Sequence, residues 1–263
     1  GPQARRETRP ATQEKGRAMR IINCHTYEAM SRKAADILAA QIQLKPNCVL
    51  GLATGTTPIG AYQGLIKKYE SGSLDFSEVR TYNLDEYRGL THEDPQSYHY
   101  FMNDQLFNHV NIDPANVHVP DGANTDADAA CADYDRMVAE AGYCDLQLLG
   151  IGRNGHIGFN EPADEFSKGT HCVDLTESTI EANSRLFEKE EDVPRQAYTM
   201  GTQTIMNARC ILVVANGENK AQAVRDMCFG PIVPTCPASI LQLHPNVFVV
   251  CDDAALSLCE GLY

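Results

Sequence analysis

Apolar residues recur along this chain with two different periods. Spacing near 3.6 residues marks amphipathic helices at 27–43, 59–69, 97–109, 127–141 and 220–228. Short, nearly continuous apolar runs mark buried strands at 48–53, 79–84, 145–151, 209–215 and 247–251. A further short helix is expected to close the chain. Strands alternating with helices predict βαβ units, hence an α/β layer sandwich around a mostly parallel central sheet. No repeat, low-complexity tract or linker interrupts the pattern, so residues 19–263 read as a single domain.

Residues 1–18 break the pattern. They show no hydrophobic periodicity and begin Gly-Pro, ahead of a conventional start at Met19. We read them as a disordered leader outside the fold, with Gly-Pro as the remnant of an artificial junction.

In open parallel sheets ligands bind beyond the carboxyl ends of the strands. Four such loops carry polar chemistry. Thr54, Gly55, Thr56 and Thr57 follow the first strand and precede Pro58, a helix start whose free N–H groups suit an anion. No Gly-Lys-Ser/Thr follows, so this is not a Walker A loop, and the segment alone is equally well an ordinary capped turn. Asp85 follows the second strand in a turn reading Asp-Glu-Tyr, where it can face a substrate; a lone Asp there is more simply a cap. The third strand leads into LGIGRNGHIGFNEP, 149–162, where Asn154, His156 and Glu161 share one glycine-rich loop. A carboxylate beside His156 is expected to favour the imidazolium, tuning an acid/base group near neutrality. The fourth strand leads to Lys220, and a separate Asn-Ser-Arg step supplies Arg185. Either cation alone reads as a surface salt-bridge partner.

The loop 149–162 also contains G-x-G-x-x-G, with Asp174 about 20 residues on. A dinucleotide fingerprint needs a helix opening at the third glycine, and Gly158 and Pro162 prevent one. No nucleotide cofactor is therefore expected. There is no H-e-x-x-h metal motif and no C-x-x-C pair, so no metal is expected either. The G-x-S-x-G elbow of α/β-hydrolases is missing too.

Charge narrows the partners. With 22 Lys and Arg against 35 acids the net charge is −13; beyond residue 20 it is −17, from 16 bases and 33 acids. That argues against nucleic acid and anionic membranes. The longest fully apolar run, Cys210–Ala215, is six residues, far below the roughly 20 a membrane helix needs. Ten scattered cysteines, several inside apolar runs, and no secretory signal point to reduced thiols in the cytoplasm.

Taken in order, GLATGTTP, YNLDEYRGL with DPQSYHYFM, LLGIGRNGHIGFNEP, ANSRLF, GENKAQAV and LQLHP resemble the motifs of glucosamine-6-phosphate deaminases over 19–252. The resemblance implies a Rossmann-like three-layer α/β sandwich and a cofactor-free reaction, glucosamine 6-phosphate and water to fructose 6-phosphate and ammonia. It implies that His156 opens the sugar ring with Asn154 and Glu161, that Asp85 moves a proton from C2 to C1, and that 54–57, Arg185 and Lys220 hold the phosphate. Some members carry Asp where this chain has Asn154, which can only position His156, and many have Gly where Thr56 stands. The segment 174–195, charged and poor in apolar residues, is expected to be a mobile lid carrying Arg185.

The resemblance also bears on regulation. Activated members bind an acetylated sugar phosphate through small hydroxyl residues and a basic pair; here those places hold Asp164, Glu165, His171 and Val173. With the chain ending at Tyr263, short of the extension in hexameric members, a monomer or small homo-oligomer without that effector is expected. The alternatives are a 6-phosphogluconolactonase-like hydrolase, which the DEY turn and the FNEP ending fit less well, and a non-catalytic sugar-phosphate sensor, which would have no need of Asp85, His156 and Glu161 together.

Overall fold

The computed structural model describes residues 19–263; the leader expected over 1–18 lies outside the described residues. Seven strands form one all-parallel sheet: β1 (Met19–Asn23), β2 (Val49–Leu52), β3 (Arg80–Asn83), then β5 (Val117–His118), β6 (Leu146–Leu149), β9 (Cys210–Ala215) and β10 (Val247–Cys251). Their spatial order is β1-β10-β9-β6-β2-β3-β5. Three strands skipped in that count, β4 (Asp85–Tyr87), β7 (His171–Asp174) and β8 (Gln196–Thr199), form a separate antiparallel sheet in the order β4-β8-β7.

Alternation within buried strands fills two layers. On β9, Ile211, Val213 and Ala215 enter one core, and Cys210, Leu212 and Val214 enter the other. The second of these cores lies under α1 (Tyr27–Leu44), α2 (Ile59–Glu70) and α3 (Tyr98–Gln105), through Met30, Leu38, Tyr62, Leu65 and Met102. The first lies under α4 (Ala127–Glu140), α6 (Thr202–Met206) and α7 (Ala221–Phe229), through Tyr134, Val138, Ile205, Val224 and Met227. Each fully buried side chain of this kind contributes roughly 1.5–3 kcal/mol. The remaining helix, α5 (Glu177–Ser184), has no buried residue.

The helices begin where small polar side chains take a free N–H: Thr26 accepts from Ala29, Ser97 from Tyr100 and Asp126 from Ala129. The stretch expected as one helix over 97–109 is instead two pieces. α3 ends at Leu106 (φ −141°), and a 3-10 turn follows at Phe107–His109. The His109 ring takes up the Asp104 carbonyl that a continuing helix would have used.

From β2 the chain steps outward to β3 and β5; from β6 it steps the other way to β9 and β10, with the first strand, β1, at the edge beyond. The order therefore reverses between β2 and β6, and the loops leaving those strands face one crevice. At the opposite, amino ends of the strands, buried Asp145 accepts from Val49 N–H and pairs with Lys45 and Arg209, each at 3.1 Å. That ionic group ties strands together on the face away from the crevice.

Candidate functional site

The loop leaving β6 folds on itself before it reaches any neighbour. Gly152 N–H donates to the His156 carbonyl, Gly155 N–H to the Gly152 carbonyl, and Ile157 bridges to Asn160. Buried Asn160 fastens the loop by donating to the carbonyls of Ile157 and Met200. A side chain at Gly152 would put its Cβ 2.0 Å from the His156 ring, so only glycine leaves room for the imidazole there. Gly158 (φ +58°) opens the other side: a Cβ at that position would lie 2.8 Å from Thr199 Oγ1 and 3.9 Å from Asp85 Oδ2.

Within the loop Asn154 stands between His156 and Glu161. His156 Nδ1 lies 2.7 Å from Asn154 Oδ1, and Asn154 Nδ2 donates to Glu161 Oε2 at 2.7 Å. An amide oxygen only accepts, so Nδ1 carries the proton and Nε2 is left as an acceptor. Glu161 Oε1 is 3.6 Å from Nδ1. Glu161 does pull His156 toward its charged form, but the net shift runs the other way. Burial lowers the His156 pKa, Glu161 raises it, and the ammonium of Lys220 lowers it again, for a net downward shift. The imidazole is pushed toward its neutral form, with Nε2 as its acceptor.

Asp85 is not in a turn after β3, as its surroundings in sequence suggested. It is the first residue of β4, opposite Thr199 on β8. The chain leaves the large sheet at Leu84, whose N–H donates to Leu52 and whose carbonyl accepts from Met200. Asp85 is buried, and among the described residues no hydrogen bond holds its carboxylate. Burial first, and the neighbouring Glu86 charge second, push its pKa up to about 8.

Residues 54–57 lie between β2 and α2. Gly55 takes φ +94°, and the carbonyls of Thr56 and Thr57 both accept from the Tyr27 hydroxyl, which in turn accepts from Gly60 N–H. Thr57 Oγ1 donates to Asn216 at 2.9 Å, joining this loop to the one after β9. That second loop brings Lys220, half-buried at the start of α7, close enough to His156 to depress it; burial and Arg153 lower the pKa of Lys220 itself. The first strand-end loop, Asp85, the His156 loop and Lys220 are thus brought together. Arg185 is not: it is exposed at the end of α5, and its guanidinium makes no ion pair or hydrogen bond among the described residues. Its helix does reach the site, because Asn183 Nδ2 donates to the Tyr87 hydroxyl at 3.2 Å.

Sequence reading missed an aromatic wall of Tyr87, Tyr98 and Phe159, with Tyr98 and Phe159 stacked at 6.2 Å between centroids. The Tyr98 hydroxyl reaches the Thr54 side chain and Tyr87, and lies within the field of Asp85. The one available signal was Ser97, a cap that placed Tyr98 at a helix start. Arg153, inside the quoted loop, was also passed over. Among the described residues no group of three or more His, Cys, Asp or Glu side chains is arranged to hold a metal ion.

Comparison with known proteins gives a consistent result. Residues 24–249 match the family model for glucosamine-6-phosphate isomerases/6-phosphogluconolactonase. A glucosamine-6-phosphate deaminase of Clostridioides difficile is 53% identical over 239 residues, 91% of this chain and 96% of its own length. The solved structure of a monomeric glucosamine-6-phosphate deaminase superposes with a TM-score of 0.86 at 48% identity, covering 91% of this chain and 100% of that one. A 6-phosphogluconolactonase from Thermotoga maritima shares the fold at 18% identity, with a TM-score of 0.68 over 89% of this chain and 98% of its own. The chain belongs to the glucosamine-6-phosphate isomerase/6-phosphogluconolactonase family.

Proposed function

We propose that the protein converts glucosamine 6-phosphate and water to fructose 6-phosphate and ammonia, as its deaminase relatives are named for doing. The observation that carries this reading is a buried carboxylate with a raised pKa, close to Gly158 of the loop that holds His156, together with an imidazole whose Nδ1 is taken by Asn154. Sugar isomerisation needs both. His156 Nε2 takes the proton from the anomeric hydroxyl and delivers it to the ring oxygen, opening the ring. Asp85 removes the C2 proton, giving an enolamine, and returns it to C1. The resulting C2 imine adds water and expels ammonia. A carboxylate pushed to about 8 is a stronger base than an ordinary one, which suits removal of a weakly acidic carbon-bound proton.

Asn154 and Glu161 fix the imidazole's orientation and tautomer. The 54–57 loop and Lys220 receive the phosphate dianion, and Arg185 joins them when α5 closes. We read 19–263 as one catalytic domain and the cytoplasm as its compartment. Ten free cysteines support the latter, and no described helix is long and apolar enough to cross a membrane.

The deciding experiment is ammonia release from glucosamine 6-phosphate by the purified protein with no added cofactor. A 6-phosphogluconolactone hydrolysis assay runs beside it. Ammonia formation with no lactone hydrolysis is expected; the reverse would replace the deaminase reading with the lactonase one.

A further inference from the structure

Glu86 is almost fully buried next to Asp85, and the reaction scheme gives it no task. Its carboxylate reaches across to α3. Oε1 accepts from the N–H groups of Tyr87 and Tyr98 at 2.8 and 2.9 Å, and Oε2 accepts from His99 N–H at 2.9 Å. Ser97 Oγ takes the next donor, Tyr100 N–H, at 3.1 Å. The first three N–H groups of α3 are therefore all satisfied, two of them by Glu86. The first residue of that helix is Tyr98, whose hydroxyl joins Thr54 to Tyr87.

A cap alone does not explain this arrangement. Placing a second carboxylate beside a buried, unbonded Asp85 is electrostatically costly, and a neutral side chain avoids that cost. We propose that Glu86 is a positioning residue with two effects: it anchors the first turn of α3 so that Tyr98 stands between Thr54 and Asp85, and its negative charge strengthens Asp85 as a proton acceptor. This rests on the reading of Asp85 as the carbon base.

Three N–H donors favour an ionised Glu86. Burial raises its pKa to about 7, against the pull of the three N–H donors, with Asp94 adding a further upward push. From the packed elements, the phenols of Tyr98 on α3 and Tyr134 on α4 face the pair, both driven towards the neutral form by burial. With three N–H donors on Glu86 and no hydrogen bond from a described residue on the Asp85 carboxylate, Glu86 is the first of the two to ionise.

The test combines carboxyl carbon NMR titration with the pH profile of kcat/KM. In the wild-type protein the Asp85 signal, assigned by its loss in Asp85→Asn, should titrate in two coupled steps as Glu86 charges first. Glu86→Gln should shift Asp85 titration and the acidic limb of kcat/KM together by about one pH unit downward, with KM changed less than about threefold. Ser97→Ala loosens the same helix end without touching charge, so its limb should stay in place. A single uncoupled Asp85 titration in the wild type would overturn the proposal, and this readout needs no variant of Glu86 to fold. Equal losses in Glu86→Gln and Ser97→Ala with unmoved profiles would also overturn it, leaving Glu86 as a cap alone. Absence of ammonia release by the wild type would defeat the deaminase reading, and the titration would still decide the role of Glu86.

Discussion

At the scale of single residues, Asp85 carries opposed demands. Its pKa in the fold, about 8, exceeds the ordinary value near 3.9. The folded protein therefore holds a proton that the unfolded chain has lost between those values, and stability falls as pH rises through this window. Asp85→Asn removes that penalty. It should lower kcat by 10²–10⁴-fold or more, leave affinity for fructose 6-phosphate nearly unchanged, and stabilise the fold at pH 8–9 by on the order of 1–3 kcal/mol. Stopped turnover with a lower melting temperature at pH 9 would contradict the account. The same ionisation makes kcat/KM rise with pH through about 7 to 8, the range set by Glu86 and Asp85 as a coupled pair. Asp85 and His156 stood out in sequence because they sit beside strand ends in short, unusual strings, whereas Glu86 did not. Their protonation was not. For His156 the decisive influence is burial, with Lys220, 64 positions away, adding to it, whereas the sequence showed only Glu161 five residues on.

At the scale of elements, strands with both faces buried announced themselves: β2, β6, β9 and β10 fall inside the runs expected. The antiparallel sheet did not. β4, β7 and β8 are three or four residues long, and β7 ends exposed, so no run of apolar residues marks them. The expected lid, 174–195, contains α5 and a 3-10 turn at Glu190–Asp192, mostly exposed. Amide exchange across 174–195 should be fast in the free protein and slow by at least tenfold with fructose 6-phosphate bound; equally slow exchange in both states would exclude a closing motion. Arg185→Ala and Lys220→Ala should each raise KM by roughly 10–100-fold, the loss of one charge-assisted phosphate contact. If KM holds in both, the phosphate lies elsewhere.

At the scale of the whole molecule, a cavity of about 240 Å³ lies beside the catalytic loop. Glu161, Glu165, Asp174, His171 and Val173 are among its lining residues, so three carboxylates face at most one imidazolium. At roughly 4 Å each like-charge approach costs about 1 kcal/mol in water and more when partly buried. N-acetylglucosamine 6-phosphate should accordingly leave the rate unchanged, and saturation should be hyperbolic. A sigmoidal curve that the acetylated sugar phosphate straightens would show a working effector site. Sedimentation should give a monomer or dimer. No sequence pattern disclosed this cavity, because it is assembled from the catalytic loop, β7 and the start of α6.

The junction at Leu84 ties these scales together mechanically. One peptide unit before the base, the chain is pinned to both sheets, by its N–H to Leu52 and by its carbonyl to Met200. The small sheet then runs β4-β8-β7, and α5 hangs directly from the end of β7. α5 and the strand that holds Asp85 are thus joined through one three-stranded sheet, which meets the large sheet at Leu84. On the proposed reading, in which α5 closes over the phosphate, a tilt of the small sheet would move the helix and Asp85 together, so a stiffer or looser junction at Leu84 would change capture and chemistry in step.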